Sequence, residues 1–154
     1  MNVNFDALTP DAVEYVTDIT GINFRGVDFG GHEWRCVTAR RDEDGALMGV
    51  LICEFKTHFD AHCTYAITDR RCMTKRLMTA VFAALFTQAV RLTSLIHPNN
   101  HHAIEMAKRM GFKYEGRMRL AVEGKHDALV YGMLKSDCRL LKERPDHGLR
   151  SKAA

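Results

Sequence analysis

The chain has 154 residues, of which 46% are hydrophobic and 27% charged. These are ordinary proportions for a globular protein, and the chain is long enough to enclose a core. No apolar run approaches the roughly 20 residues of a membrane-spanning helix. The net charge of +3 suits an anionic ligand but is too small to argue for nucleic acid.

Residues 1–141 are expected to form a single domain, with 142–154 a polar tail containing Pro145 and Gly148 that frays. The first residues, Met1 to Leu8, lack the basic-then-apolar pattern of a secretion signal. Five cysteines, Cys36, Cys53, Cys63, Cys72 and Cys138, show no C-x-x-C spacing, and three sit in apolar strand-like runs. Reduced, partly buried thiols in a cytoplasmic protein are the expectation.

Thr9-Pro10-Asp11 reads as a helix start, with Ala12, Val13, Val16 and Ile19 as its apolar side and Gly21 as its end. Gly26, Gly30 and Gly31 punctuate a loop. His32 to Arg41 reads as a strand carrying Trp34, and the polar turn Asp42-Glu43-Asp44-Gly45 returns the chain as an antiparallel hairpin into Leu47–Lys56. That run is apolar on both faces, as in a central strand. After a loop at Thr57–Asp60 comes a third strand, Ala61–Thr68. Its alternation separates Ala61, Cys63, Tyr65 and Ile67 from His62, Thr64, Ala66 and Thr68. The second, smaller and more polar set is expected to line a cleft.

Arg70, Arg71, Lys75 and Arg76 then gather where the next helix begins, ahead of Leu77, Met78, Val81, Phe82, Leu85 and Phe86. A helix start carries unpaired N–H groups and positive potential, so added cations make a phosphate site or, on the plainer reading, a solvated basic turn. A strand at Val90–Ile96 leads to His97-Pro-Asn-Asn100 and a helix whose apolar positions are Ala103, Ile104, Ala107 and Met110. Asn99 or Asn100 caps it, and Gly111 takes the left-handed position that ends it. Two strands, Tyr114–Leu120 and Ala128–Leu134, close the chain around a turn at Glu123-Gly124-Lys125.

This order, with Asn100-His-His-Ala103 running to Gly111-Phe112 and then Glu115-Gly-Arg-Met-Arg119, resembles the Gcn5-related N-acetyltransferase superfamily. Within it the chain is similar to the small ribosomal-protein-type N-acetyltransferases. The match is best over residues 49–141. The resemblance implies an α+β (mixed α/β) fold: a mostly antiparallel sheet, flanked by helices, that splays between Ala61–Thr68 and Val90–Ile96. It implies acetyl-CoA as co-substrate in that opening, with an amine of a small molecule or protein as acceptor. The pantetheine arm would pair with the Ala61–Thr68 strand near Thr64. The pyrophosphate would meet Arg70, Arg71, Met73, Thr74, Lys75 and Arg76, and Asn100 would contact the cofactor arm besides capping its helix.

Two departures stand out. The family's pyrophosphate loop has small residues where this chain has Thr74 and Arg76 (aligned on Arg71) or Met73 and Lys75 (aligned on Arg70). Ala107 stands where many members place a tyrosine acid, so the departing thiolate would be protonated otherwise, for instance by water. Weaker cofactor binding or a different acyl-CoA follows from the first departure.

Glu54 and His62 are the candidate bases, with Asp60 behind them. Glu54 at the end of an apolar strand can have a raised pKa, and a histidine ordinarily titrates near neutrality; the plain alternatives are a strand-end glutamate in water and a half-exposed histidine without a role. His97, His101 and His102 lack a fourth ligand, so no metal is expected. The acceptor pocket would draw on residues 1–31, the 57–60 loop and the 123–127 hairpin. The alternative function is a catalytically weak or inactive binding module of the same fold. An RNA- or ribosome-associated role is weaker, membrane binding is not expected, and a homodimer is left open.

Overall fold

The computed structural model describes residues 1–22, 24 and 33–142. The loop glycines Gly26, Gly30 and Gly31, the strand start at His32 and the tail from 143 onward lie outside the described residues. In chain order the elements are β1 (Asn2–Asp6), α1 (Pro10–Thr20), β2 (Glu33–Arg40), β3 (Leu47–Phe55), β4 (Asp60–Ile67), α2 (Lys75–Gln88), β5 (Arg91–Ile96), α3 (His101–Met110), β6 (Lys113–Val122) and β7 (His126–Leu134). Short 3-10 turns at Arg70–Cys72 and Lys135–Asp137 complete them. No described helix is long and apolar enough to cross a membrane.

All seven strands form one sheet in the order β1-β2-β3-β4-β5-β7-β6. Every neighbouring pair is antiparallel except β4–β5, the chain crossing between these two through α2. The mixed α+β architecture is as the sequence implies. β1 was not anticipated. It is a short, mostly exposed edge strand in which Val3 and Phe5 alternate with Asn2, Asn4 and Asp6; Val3 packs against the core, and the ladder to β2 runs from Asn2↔Arg40 to Asp6↔Cys36.

Strand alternation sorts the core into two layers. Cys36, Val50, Ile52 and Ala66 pack with Ala12 and Val16 of α1. Their neighbours Val37, Cys53, Cys63 and Tyr65 face the other way, against Val81, Phe82 and Leu85 of α2 and Ile104 and Ala107 of α3. The helix ends follow local chemistry. Thr74 Oγ1 accepts from Leu77 N–H at 3.1 Å and starts α2. Asn100 Oδ1 accepts from Ala103 N–H at 3.1 Å and starts α3. Thr9 holds the N-cap place of α1 with extended backbone but makes no side-chain cap bond, Pro10 supplying the preset first turn.

Candidate active site

β4 and β5 touch over only three rungs, Asp60↔Arg91, Ala61↔Leu92 and His62↔Thr93. Beyond them β4 stays with β3 as far as Ile67↔Gly49, while β5 stays with β7 as far as Ile96↔Leu129. Each strand follows its antiparallel neighbour, so the two part after His62 and Thr93. Cys63–Ile67 is thereby left without a strand partner on its β5 side.

On the α2/α3 side of the sheet, beneath this opening, lies a cavity of about 80 Å³. Its wall includes Cys63, Tyr65, Leu77, Met78, Ser94 and Ala107. The lining is apolar but for two hydroxyls and two thiols. The Tyr65 hydroxyl donates to Ala103 O at 3.3 Å, tying β4 to the first turn of α3. Burial pushes this phenol up to about 12. Removing the hydroxyl, as in Tyr65→Phe, is expected to cost about 1 kcal/mol of stability, read by urea denaturation.

Thr74, Lys75 and Arg76 are exposed at the start of α2, between Met73 and Leu77 of the cavity wall. The two arginines ahead of them are already engaged. Arg70 bonds His102 Nε2, bridging to the first turn of α3. Arg71 forks onto Asp69, with Nε 3.0 Å from each carboxylate oxygen, while its own N–H donates to Oδ1 at 3.0 Å. The Arg71 guanidinium and N–H hold the Asp69 carboxyl down at about 2, against an ordinary 3.8. This depressed value means that the Asp69 contribution is fully present above the ordinary value and is lost as pH falls through about 2. A carbon-detected NMR titration of Asp69 should therefore place its midpoint clearly below that of a free aspartate; a midpoint at the ordinary value would contradict the fork.

The opposite, α1-side face of the opening carries a polar network. His62 Nε2 lies 3.3 Å from Asp60 Oδ2. Thr93, itself buried, donates its hydroxyl to Asp60 Oδ1 at 2.7 Å. Arg91 Nε reaches Thr93 Oγ1 at 3.1 Å, and Arg91 NH2 meets Glu115 Oε2 at 2.7 Å. The chain of contacts runs His62–Asp60–Thr93–Arg91–Glu115 across β4, β5 and β6. It sits at the last rung before the strands part, and it holds an imidazole beside a carboxylate that is itself oriented from two sides.

The structure brings some of the expected residues together and separates others. Glu54 is the register partner of His62, and Lys56 Nζ sits 2.6 Å from its carboxylate, so it faces a cation. Thr64, expected at the cofactor arm, shares the α1-side face with His62, while the cavity is lined by its neighbours Cys63 and Tyr65. The cavity wall is thus the apolar set of β4, correcting the expectation that His62, Thr64, Ala66 and Thr68 line it. Of the smaller, more polar set, Ala66 is packed under α1. Asn100 spends its Oδ1 on the helix cap. The His97 ring stacks edge-on against His126, centroids 4.9 Å apart, and among the described residues no group of three or more His, Cys, Asp or Glu side chains is placed to hold a metal.

Arg91, Thr93, Glu115 and Tyr65 carry much of this geometry; the sequence named Tyr65 only as an apolar strand position and Glu115 only within the segment of the resemblance, and assigned none of the four a role in the site. Glu115 and Arg91 are 24 residues apart, and they meet because β7 pairs with β5 and carries β6 alongside. No local pattern reports such a contact.

This architecture is the acyl-CoA N-acyltransferase fold of the Gcn5-related N-acetyltransferases. Among solved structures, the chain is similar to mutant forms of the spermidine/spermine N-acetyltransferase SpeG from Vibrio cholerae, with a TM-score of 0.64 and 14% identity over 88% of this chain and 96% of that one. It is also similar to Ard1 from Thermoplasma volcanium, with a TM-score of 0.60 and 14% identity over 87% and 98% of the two chains. The ribosomal-protein-S5-alanine acetyltransferase from Vibrio fischeri matches with a TM-score of 0.61 and 12% identity over 90% and 96%. No family model matches the sequence, and no curated protein matches it either.

Proposed function

We propose that this chain is an acetyl-CoA-dependent N-acetyltransferase acting on an amine of a small molecule or a protein. The observation that carries this reading is the parting of β4 and β5 after three rungs. It leaves the backbone of Cys63–Ile67 open on one side, above an apolar cavity. An amide-bearing pantetheine arm fits such an edge as an added strand would, through backbone hydrogen bonds. The phosphates would meet the first turn of α2, where Thr74 caps only Leu77 N–H and earlier N–H groups remain available. Lys75 and Arg76 add positive charge there. Glycine is absent from this turn, so the approach relies on these groups rather than on bare backbone.

The amine would enter from the α1-side face. His62 takes its proton, and Asp60, held by Thr93 and Arg91, orients the imidazole and offsets the charge it gains. N–H groups on the open β4 edge polarise the thioester carbonyl. Attack is direct, within a ternary complex, and the departing thiolate takes its proton from water because Ala107 offers none.

Acetyl-CoA at about 100 times its dissociation constant should stabilise the protein by about 2.7 kcal/mol, seen as a rise in Tm. Lys75→Ala with Arg76→Ala should weaken binding several-fold without lowering the Tm of the free protein. No Tm shift at millimolar acetyl-CoA would overturn the donor assignment. The engagement of Arg70 by His102 and of Arg71 by Asp69, together with Ala107, favours a second reading as a non-catalytic binding module. Donor binding with no thiol released over a broad amine panel would select it.

A further inference from the structure

Cys53 of β3 and Cys63 of β4 face each other in direct register. Their sulfurs are 3.9 Å apart and both side chains are buried. Directly opposed residues of an antiparallel pair have Cα atoms about 4.5–5.5 Å apart, inside the span of about 4.4–6.8 Å that a disulfide bridges. Side-chain rotation would therefore bring the sulfurs into bonding distance with little backbone movement. The two thiols are not equivalent. Cys63 lines the cavity, one residue past the last β4–β5 rung. Cys53 is shut in behind it, and its contact with Cys63, together with burial, keeps its proton on well above the ordinary range.

We propose that Cys63 and Cys53 form a peroxide-sensitive dithiol, Cys63 being the thiol that is modified and Cys53 the one that resolves it. In the first step the Cys63 sulfur, as thiolate, attacks one oxygen of hydrogen peroxide. A sulfur–oxygen bond forms, the oxygen–oxygen bond breaks, and the hydroxide released takes up a proton to leave as water. In the second step the Cys53 sulfur attacks the Cys63 sulfur. The sulfur–sulfur bond forms, the sulfur–oxygen bond breaks, and a second water leaves with the proton of Cys53. Peroxide is reduced to two waters while two thiols become one disulfide; a dithiol reductant reverses it. The cavity of about 80 Å³ admits an oxidant near the size of water, which needs only about 10–15 Å³ of such space. Burial makes the reaction slower than at an exposed thiolate. The bond draws the Cys63 sulfur out of the cavity wall toward β3, at the apex of the opening. If the cavity takes the pantetheine arm, a link that rests on the function proposed above, bound acetyl-CoA shields Cys63.

The test exposes reduced, full-length protein to hydrogen peroxide with and without saturating acetyl-CoA, blocks remaining thiols by alkylation, and maps cross-linked peptides by mass spectrometry. The expected result is a dithiothreitol-reversible Cys53–Cys63 cross-link as the main oxidised species, formed several-fold more slowly with acetyl-CoA. In Cys53→Ala, Cys63 should instead accumulate as a sulfenic acid trapped by dimedone. Wild-type mapping decides the matter even if the variant misfolds. Absence of the cross-link while other cysteines oxidise, a cross-link of Cys63 to Cys72 instead, or no oxidation at all would overturn the proposal. A cross-link formed at the same rate with acetyl-CoA would uphold the dithiol and count against the donor placement.

Discussion

Replacing His62 by alanine is expected to lower the acyl-transfer rate by roughly 10²–10⁴-fold, the usual worth of a positioned base. The acetyl-CoA-induced rise in Tm should survive, because His62 points to the α1 side of the sheet and the cavity lies on the other. Imidazole added to the medium should restore part of the lost rate, which a merely structural histidine would not show. Asp60→Asn should lower the rate in the same direction. It removes the charge 3.3 Å from Nε2 and leaves Arg91 and the Thr93 hydroxyl with a weaker acceptor. Glu54→Gln should cost far less, since the Glu54 carboxylate is met by Lys56. A His62→Ala protein of undiminished activity would remove His62 from the mechanism and return attention to Glu54 or a water chain.

Gly111→Ala is expected to be the most damaging small substitution, costing on the order of 3 kcal/mol. Gly111 sits at φ 116°, in the left-handed region, where its N–H meets Ala107 O and Lys108 O and ends α3. A Cβ there would stand 2.2 Å from the backbone oxygen of Asp137. That atom belongs to main chain held by Arg139 N–H on Met110 O at 3.1 Å, so it cannot rotate aside. For a chain of this length, the loss corresponds to a fall in Tm of about 6–12 °C, measurable by calorimetry. A substitution tolerated within a degree would mean that the segment after β7 can move off α3.

The same glycine shows where local reading stops. Its role as a helix terminator is written in the sequence, because a left-handed C′ residue after a periodic helix calls for glycine. The closeness of Asp137 is not, because it arises from a 3-10 turn that β7 delivers against α3. The legible elements share that property of being local. Asn100, expected to cap α3, does so through a group three residues away, and Thr74 caps α2 in the same local way, a role not assigned to it from the sequence. The turn at Glu123-Gly124 needs two positive φ angles, and the sequence supplies a glycine for one of them. The splay between β4 and β5 came from the family resemblance, and the strand pairing has the same form.

Thr64 and Tyr65 mark the other limit. Period-two alternation separated the two faces of β4 correctly, but it does not say which face a cavity will occupy. That depends on α1 packing onto Ala66 while the cavity is walled by Cys63 and Tyr65 together with Leu77, Met78 and Ala107 of α2 and α3. β1 escaped notice because it is only five residues long and mostly exposed, so its alternation of Val3 and Phe5 with polar residues is too brief to stand out.

Capping, turns, strand alternation and the basic start of α2 were thus determined by the sequence on its own, since each depends on neighbours within a turn or along one strand. His62 and Asp60 lie two residues apart on one face of β4, but the bracing of Asp60 by Thr93, Arg91 and Glu115 and the meeting of Cys53 with Cys63 required the assembled sheet. They join residues from different strands, and their distances follow from register and strand order, which no single segment encodes.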